Sequence, residues 1–221
     1  MIDKKRVAVL ISGSGSNLQA LIEASRSPDY PAEIVLVLSN RPGVFGLERA
    51  AAAEIPSVVI PHGDYPSRAA FDAAMQSVLT QNDIDCICLA GFMRILTPSF
   101  TKAWEGRMLN IHPSLLPAFK GYDAIGQVLA SSVSVTGASV HTVTSEVDAG
   151  DIVAQGAVRR DPDDTRESLT GRIHAVEHLL YPYALRSFLR GEASPPPAPA
   201  LSGAVFSLNH RSRFREYLSL T

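Results

Sequence analysis

Apolar residues fall along this chain in two alternating kinds of segment. Short runs rich in β-branched residues are separated by longer stretches whose apolar positions recur every three or four residues, the rhythm of strands joined by crossover helices. The strand candidates are 6–12 (RVAVLIS), 33–39 (EIVLVLS), 57–60 (SVVI), 85–91 (DCICLAG), 108–112 (MLNIH), 135–143 (VTGASVHTV) and 151–158 (DIVAQGAV). Helices are predicted near 16–26, 46–54 and 67–81, with a long final helix over 166–189. The first four strand runs are apolar almost throughout, as strands are when helices cover both faces of a parallel sheet. The last two alternate more and flank a short acidic loop, which predicts an antiparallel hairpin at the edge of an α/β sheet. The final helix should bury Leu169, Ile173, Val176, Leu180 and Ala184, and Pro182 should kink or divide it.

Composition narrows the class. With 221 residues, 46% of them hydrophobic, the chain can build one substantial core. A net charge of −2 creates no global field for nucleic acid or an anionic membrane, so small-molecule partners are expected. No apolar run approaches the ~20 residues of a membrane-spanning helix. Cys86 and Cys88 are two apart on a strand, on one face, as buried free thiols; with no leader before RVAVLIS, a reducing cytoplasm is the expected compartment. After Gly191 the sequence EASPPPAPALSG favours extended polyproline, and NHRSRFREYLSLT is basic with scattered aromatics. The expected division is a catalytic domain over 1–190, then a Pro-rich strap and a solvated basic tail over 191–221.

Two regions carry candidate chemistry. Ser12-Gly13-Ser14-Gly15-Ser16-Asn17-Leu18 links the first strand to the first helix. Small residues there let a ligand approach the backbone, and the free N–H groups of the helix N-terminus attract an anion such as phosphate. An ordinary turn with Ser or Asn as its cap is the alternative. Leu18 at the place of a third glycine, and Ser39-Asn40 where an acidic residue would end the second strand, disfavour a dinucleotide. In the fifth strand Asn110 and His112 flank Ile111, so they project from one face about 7 Å apart, at the strand end where ligands collect in open α/β sheets. Pro113-Ser114-Leu115-Leu116-Pro117 should fix the loop beyond them. His141 on a later strand and Asp148 in the loop Glu146–Asp151 complete the set; an aspartate reaching His112 would orient its ring and favour its charged form. Each residue alone has an ordinary structural reading, as a cap, a rim histidine or a turn residue. The histidines at 62, 112, 141, 174, 178 and 210 have no tight ligand spacing, so no metal is expected.

The motifs SGSGSNL, LAGFMRIL, LNIHPSLLP, GASVH and SEVDAGDI occur in that order, and together resemble the glycinamide ribonucleotide formyltransferases, folate-dependent enzymes of purine synthesis. The resemblance spans roughly residues 6–190; LNIHPSLLP with a downstream D-x-G belongs to the wider formyltransferase superfamily, and SGSGSNL narrows it. It implies a Rossmann-like, mostly parallel sheet with an extended antiparallel edge, 10-formyltetrahydrofolate as donor, glycinamide ribonucleotide as acceptor and tetrahydrofolate as a product. Asn110, His112 and Asp148 would be catalytic, with His141 in support. Gly15, Ser16 and Asn17 would hold the phosphate, Glu177 the ribose, and Arg68 would lie near the substrate. Folate would lie along Met93, Arg94, Ile95 and Leu96, with Val143, Thr144, Ser145, Glu146 and Val147 closing over the pterin.

The chain departs from that pattern where family members often carry a histidine: Gly121 is followed here by Tyr122-Asp123-Ala124-Ile125. Sister enzymes sharing the trio are the first rivals. A hydrolase would be expected to carry a regulatory domain before the first strand, and a tRNA enzyme a basic C-terminal domain; five residues precede the strand and about thirty follow the last helix. A noncatalytic nucleotide-binding protein is the rival of another class, and a homodimer stays open.

Overall fold

The computed structural model describes residues 4–191 and the backbone of 205–208. The elements run β1 Lys5–Ile11, α1 Ser16–Ser25, β2 Ala32–Ser39, α2 Phe45–Ala52, β3 Ser57–Val59, a 3-10 turn at His62–Asp64, α3 Arg68–Gln81, β4 Cys86–Leu89, α4 Pro98–Ala103, β5 Met108–His112, α5 Ala124–Leu129, β6 Val135–Thr142, β7 Ile152–Arg159, α6 Arg166–Arg190 and β8 Val205–Leu208. Among the described residues they form one sheet of eight strands in the order β3-β2-β1-β4-β5-β6-β7-β8. The first five strands are mutually parallel. β6, β7 and β8 are each antiparallel to the neighbour before them. This is the α/β sheet with an antiparallel edge that the periodicity predicts, and the Rossmann-like form that the family resemblance implies. Its strand order reverses direction beside β1, between β1 and β4, where open α/β sheets collect ligands at their carboxyl ends.

Strand alternation divides the core between two faces. Val7, Val9 and Ile11 of β1 join Cys86, Cys88, Leu18, Leu21 and the inner stripe of α6 on one face. Ala8 and Leu10 join Ile87, Leu89, Met75, Leu79, Phe100 and Trp104 on the other. Both thiols are free and buried on the same face, as read from their spacing. The predicted stripe Leu169, Ile173, Val176, Leu180 and Ala184 is buried. Tyr181, also fully buried, donates its hydroxyl to the carbonyls of Leu89 and Leu109 at 3.1 Å each, tying α6 across β4 and β5 near the strand ends.

The observed elements differ from the sequence reading in three places. Pro182 does not divide α6, which continues as one helix to Arg190. Proline removes one donor to the His178 carbonyl, and the packing of Tyr181, Ala184 and Leu185 into the core outweighs that loss. Two helices of six residues, α4 and α5, were too short to show a helical period in the sequence. The strap expected after Gly191 includes a strand: Val205–Leu208 pairs with Ala154–Ala157 and covers the β7 edge. The prolines at 195–197 and the basic residues from 209 onward lie outside the described residues. No helix among the described residues is long and apolar enough to cross a membrane.

Candidate active site

The site lies at the carboxyl end of β5, where the sheet changes from parallel to antiparallel. Period two sends Asn110 and His112 to one face, and the register of β6 sets His141 opposite Asn110. In the β6–β7 ladder the register shifts beside this residue, Val140 facing Ala154 and His141 facing Ile152, so that Val153 is the extra residue of a bulge on β7. The loop after β6 then returns Asp148. Asp148 sits at φ 50 and is held there by its neighbours; a Cβ on Gly150 would lie 1.7 Å from the Thr142 carbonyl oxygen. The D-x-G spacing therefore follows from geometry, since only glycine lets this loop close onto β6.

The polar groups form one connected set. Asp148 Oδ2 lies 3.3 Å from His112 Nδ1, and its Oδ1 lies 3.5 Å from His141 Nε2. Gly121 N–H donates to Asp148 Oδ2 at 2.8 Å. His112 Nε2 meets the Phe119 carbonyl at 2.8 Å, so both of its ring nitrogens face oxygen acceptors, an arrangement that a doubly protonated ring satisfies. His141 Nδ1 meets the Thr142 carbonyl at 2.8 Å, which leaves Nε2 to accept from Asn110 Nδ2 at 3.1 Å. One Asn110 amide hydrogen is thereby fixed and the other is left for a ligand. Burial pushes the Asp148 carboxyl upward, but the His141 ring, the Gly121 N–H and the nearby His112 together outweigh it, holding the group below its ordinary value.

The first helix begins at the same rim. Gly15 is its N-cap at φ 70, and no side chain caps the N-terminus, contrary to the ordinary-cap alternative. The N–H groups of the first turn are thus left for an anion. The smallness of Gly15 serves packing as well: a Cβ there would lie 2.7 Å from Gly46 Cα, so α1 and α2 meet backbone to backbone. Asn17 turns away from capping and donates Nδ2 to Glu177 Oε2 at 2.8 Å, while its Oδ1 has no partner. Glu177 is 4% exposed, and burial raises its carboxyl to about 7 against the lowering effect of the Asn17 bond.

The remaining predicted residues line the rim with different degrees of engagement. The segment Met93–Leu96 alternates, with Met93 and Ile95 about 60% exposed and Leu96 buried; Arg94 Nε has no partner. Ser12 Oγ anchors its start by accepting from Met93 N at 2.8 Å and donating to Asn40 Oδ1, and Asp72 anchors its end through Thr97 N. Val143 is half-buried, whereas Thr144, Ser145, Glu146 and Val147 are exposed. Arg68 opens α3 as an exposed residue, and no hydrogen bond among the described residues ties it to the trio. Sequence reasoning missed Phe119 and Gly121, which act through backbone atoms, and Ser12 and Asn40, whose one signal was their place in SGSGSNL and at the end of β2.

The chain is similar to known proteins over most of its described length. Residues 5–185 match the formyl transferase family. A phosphoribosylglycinamide formyltransferase of Bacillus subtilis is 39% identical over 192 residues, covering 85% of this chain and 98% of that protein. The chain belongs to the phosphoribosylglycinamide formyltransferases, within the formyl transferase family. Glycinamide ribonucleotide transformylase 1 from Symbiobacterium toebii has the same fold with a TM-score of 0.83 at 46% identity, covering 86% of this formyltransferase chain and 89% of the other. The human trifunctional purine biosynthetic protein adenosine-3 is 51% identical over 188 residues, 85% of this chain. The formyltransferase chain spans only 14% to 19% of the trifunctional relatives it matches.

Proposed function

We propose that this chain transfers the formyl group of 10-formyltetrahydrofolate to the amine of glycinamide ribonucleotide, giving formylglycinamide ribonucleotide and tetrahydrofolate in purine biosynthesis. The observation that carries this reading is the convergence of Asn110, His112 and Asp148 at one strand end, on the rim that also bears an uncapped helix N-terminus. The phosphate would sit on the N–H groups of Ser16 and Asn17, with Glu177 toward the ribose. The exposed side chains of Met93 and Ile95 would flank the folate, and the loop 143–147 would cover it. Two buried free thiols support a reducing cytoplasm as the place of action.

The chemistry follows from the hydrogen-bond set. The amine nitrogen attacks the formyl carbon, the C=O bond becomes a C–O⁻ bond, and the nitrogen acquires positive charge. Asn110 offers its free amide hydrogen to that oxygen; a fixed donor of this kind contributes about 3 kcal/mol in a site shielded from water. The nitrogen's excess proton passes to Asp148, through a water where distance requires it. That transfer neutralises the carboxylate and leaves the His112 imidazolium uncompensated beside the new anion, when its charge stabilises most. Asp148 then returns the proton to N10 as the carbon–N10 bond breaks. His141 aims Asn110 and does not itself exchange a proton.

Incubation of the purified chain with glycinamide ribonucleotide and 10-formyltetrahydrofolate, following tetrahydrofolate release, tests the assignment. Turnover with that pair is expected. Release that continues unchanged without the ribonucleotide would indicate a hydrolase and overturn it.

A further inference from the structure

The segment that holds the catalytic pair is itself strained. Phe119 at φ 55 and Asp123 at φ 57 are non-glycine residues in the left-handed region, and Gly121 between them is at φ 79. Each such non-glycine residue costs on the order of 1 kcal/mol or more and persists only where its surroundings enforce it. Within this segment the Phe119 carbonyl fixes His112 and the Gly121 N–H fixes Asp148. Whatever enforces the segment therefore sets the geometry of both.

The enforcing contact comes from the far side of the loop. Asp123 accepts from Arg166 through both guanidinium nitrogens, at 2.5 and 3.0 Å, and the same carboxylate caps α5 by accepting from Gly126 N at 3.2 Å. Arg166 is the first residue of α6, where a capping box between Thr165 and Ser168 and the buried Leu169 and Ile173 give it a fixed base. Gly126 makes room for the pair: a Cβ there would lie 2.2 Å from Asp123 Oδ2 and 2.7 Å from an Arg166 nitrogen. Glycine inside a helix costs about 1 kcal/mol against alanine, so this position gives up helix stability where the pair must pass. Gln127 adds a parallel tie, donating Nε2 to the carbonyls of Lys120 and Tyr122.

We infer that Asp123 and Arg166, seated over Gly126, are positioning residues: they form a latch that holds the backbone of Phe119 to Gly121 against His112 and Asp148. The pair is largely exposed, the Arg166 side chain 58% and that of Asp123 40% accessible, and exposed ion pairs contribute little to global stability. Its effect is therefore on the geometry of the catalytic pair. The latch rests on the formyl transfer proposed above for its kinetic consequence, but not for its effect on the His112 ring.

Arg166→Ala, Gly126→Ala and the double variant test it, the glycine change displacing the pair without removing either charge. Because displacement of a catalytic group by ~1 Å can cost up to a hundredfold, each single variant is expected to lower kcat about tenfold. KM for both substrates should stay within about twofold, as it does when a loss falls on the transition state alone. The double variant should be no slower than the singles, since both changes act through one contact. Arg166→Lys, which keeps the charge but cannot bridge both oxygens, should recover part of the rate. Unchanged kcat in Arg166→Ala, multiplying losses in the double variant, or an effect on KM alone would each overturn the latch. The His112 ring resonances, followed by NMR, must move in Arg166→Ala. Unmoved resonances would reject the latch even if the unaltered chain turned out to catalyse another reaction, whereas absent turnover in the unaltered chain would reject only the assigned reaction.

Discussion

His112 and Asp148 face each other across 3.3 Å with their side chains only 7% and 9% exposed, so the pair works where solvent screens it little. Asp148→Asn leaves an oxygen for the Gly121 N–H but removes the negative charge beside His112 and the base that the proposed mechanism uses for the amine proton. A positioned acid–base group contributes 10²–10⁴-fold, so turnover should fall by roughly a thousandfold. The fold should remain, because neither core cluster includes this loop. Steady-state rates beside circular dichroism check both parts, and turnover near the wild-type value would remove Asp148 from the mechanism.

The same carboxylate makes stability depend on pH in a definite direction. Its folded value lies below the ordinary one, because the His141 ring, the Gly121 N–H and His112 together outweigh burial. A depressed carboxyl contributes stability above its unfolded value, near ~4, and loses it as pH falls through the folded value. Wild type should therefore lose stability more steeply than Asp148→Asn on going from pH 6 to about pH 3. Urea unfolding of both at the two pH values measures this; parallel losses would show that the carboxylate gains nothing from its partners.

How much of this was legible in the sequence depends on the kind of contact. Alternation along β1 and β4 placed the core faces and both thiols, because a strand's period of two leaves little freedom once one face is buried. The same period put Asn110 and His112 side by side, and D-x-G brought Asp148 to them. Phe119 and Gly121 were not legible, since they act through backbone atoms in left-handed conformations that no side-chain pattern announces. The Asp123–Arg166 pair, 43 residues apart, was hidden for another reason: each residue alone is an ordinary exposed charge, and only the fold joins them. β8 was hidden because backbone pairing can recruit an edge segment without any marked periodicity.

Glu177 should trade stability for binding. Its carboxyl is raised to about 7 by burial, so the ionised form is the strained one. A raised group contributes stability that is full below its unfolded value near ~4 and lost as pH rises through the folded value, here about 3 kcal/mol across that window. Asn17 Oδ1 has no partner, and glutamine at 177 would bring an amide donor beside it. Glu177→Gln should thus be more stable than wild type at pH 8, with a flatter pH dependence between about 5 and 7, and should bind the ribonucleotide more weakly. Thermal unfolding at pH 5 and 8 with calorimetric titration of the ribonucleotide would decide; equal stability at pH 8 would place the carboxyl near its ordinary value.

Gly15→Ala should damage the anion site more than the fold. The methyl group would lie 2.7 Å from Gly46 Cα and 3.5 Å from the Arg49 side chain, in a residue already at φ 70. Alanine in the left-handed region costs about 1–2 kcal/mol, and the clash adds to that, because backbone faces backbone and no side chain can swing away. The chain can relieve the contact only by shifting the start of α1, which moves the N–H groups of Ser16 and Asn17. Ribonucleotide affinity should fall at least about tenfold while folate affinity, set on the other side of the strand switch, changes little. The paired comparison matters: loss of both affinities together would mean that Gly15 supports the sheet as a whole, and loss of neither would remove the α1 N-terminus from the phosphate site.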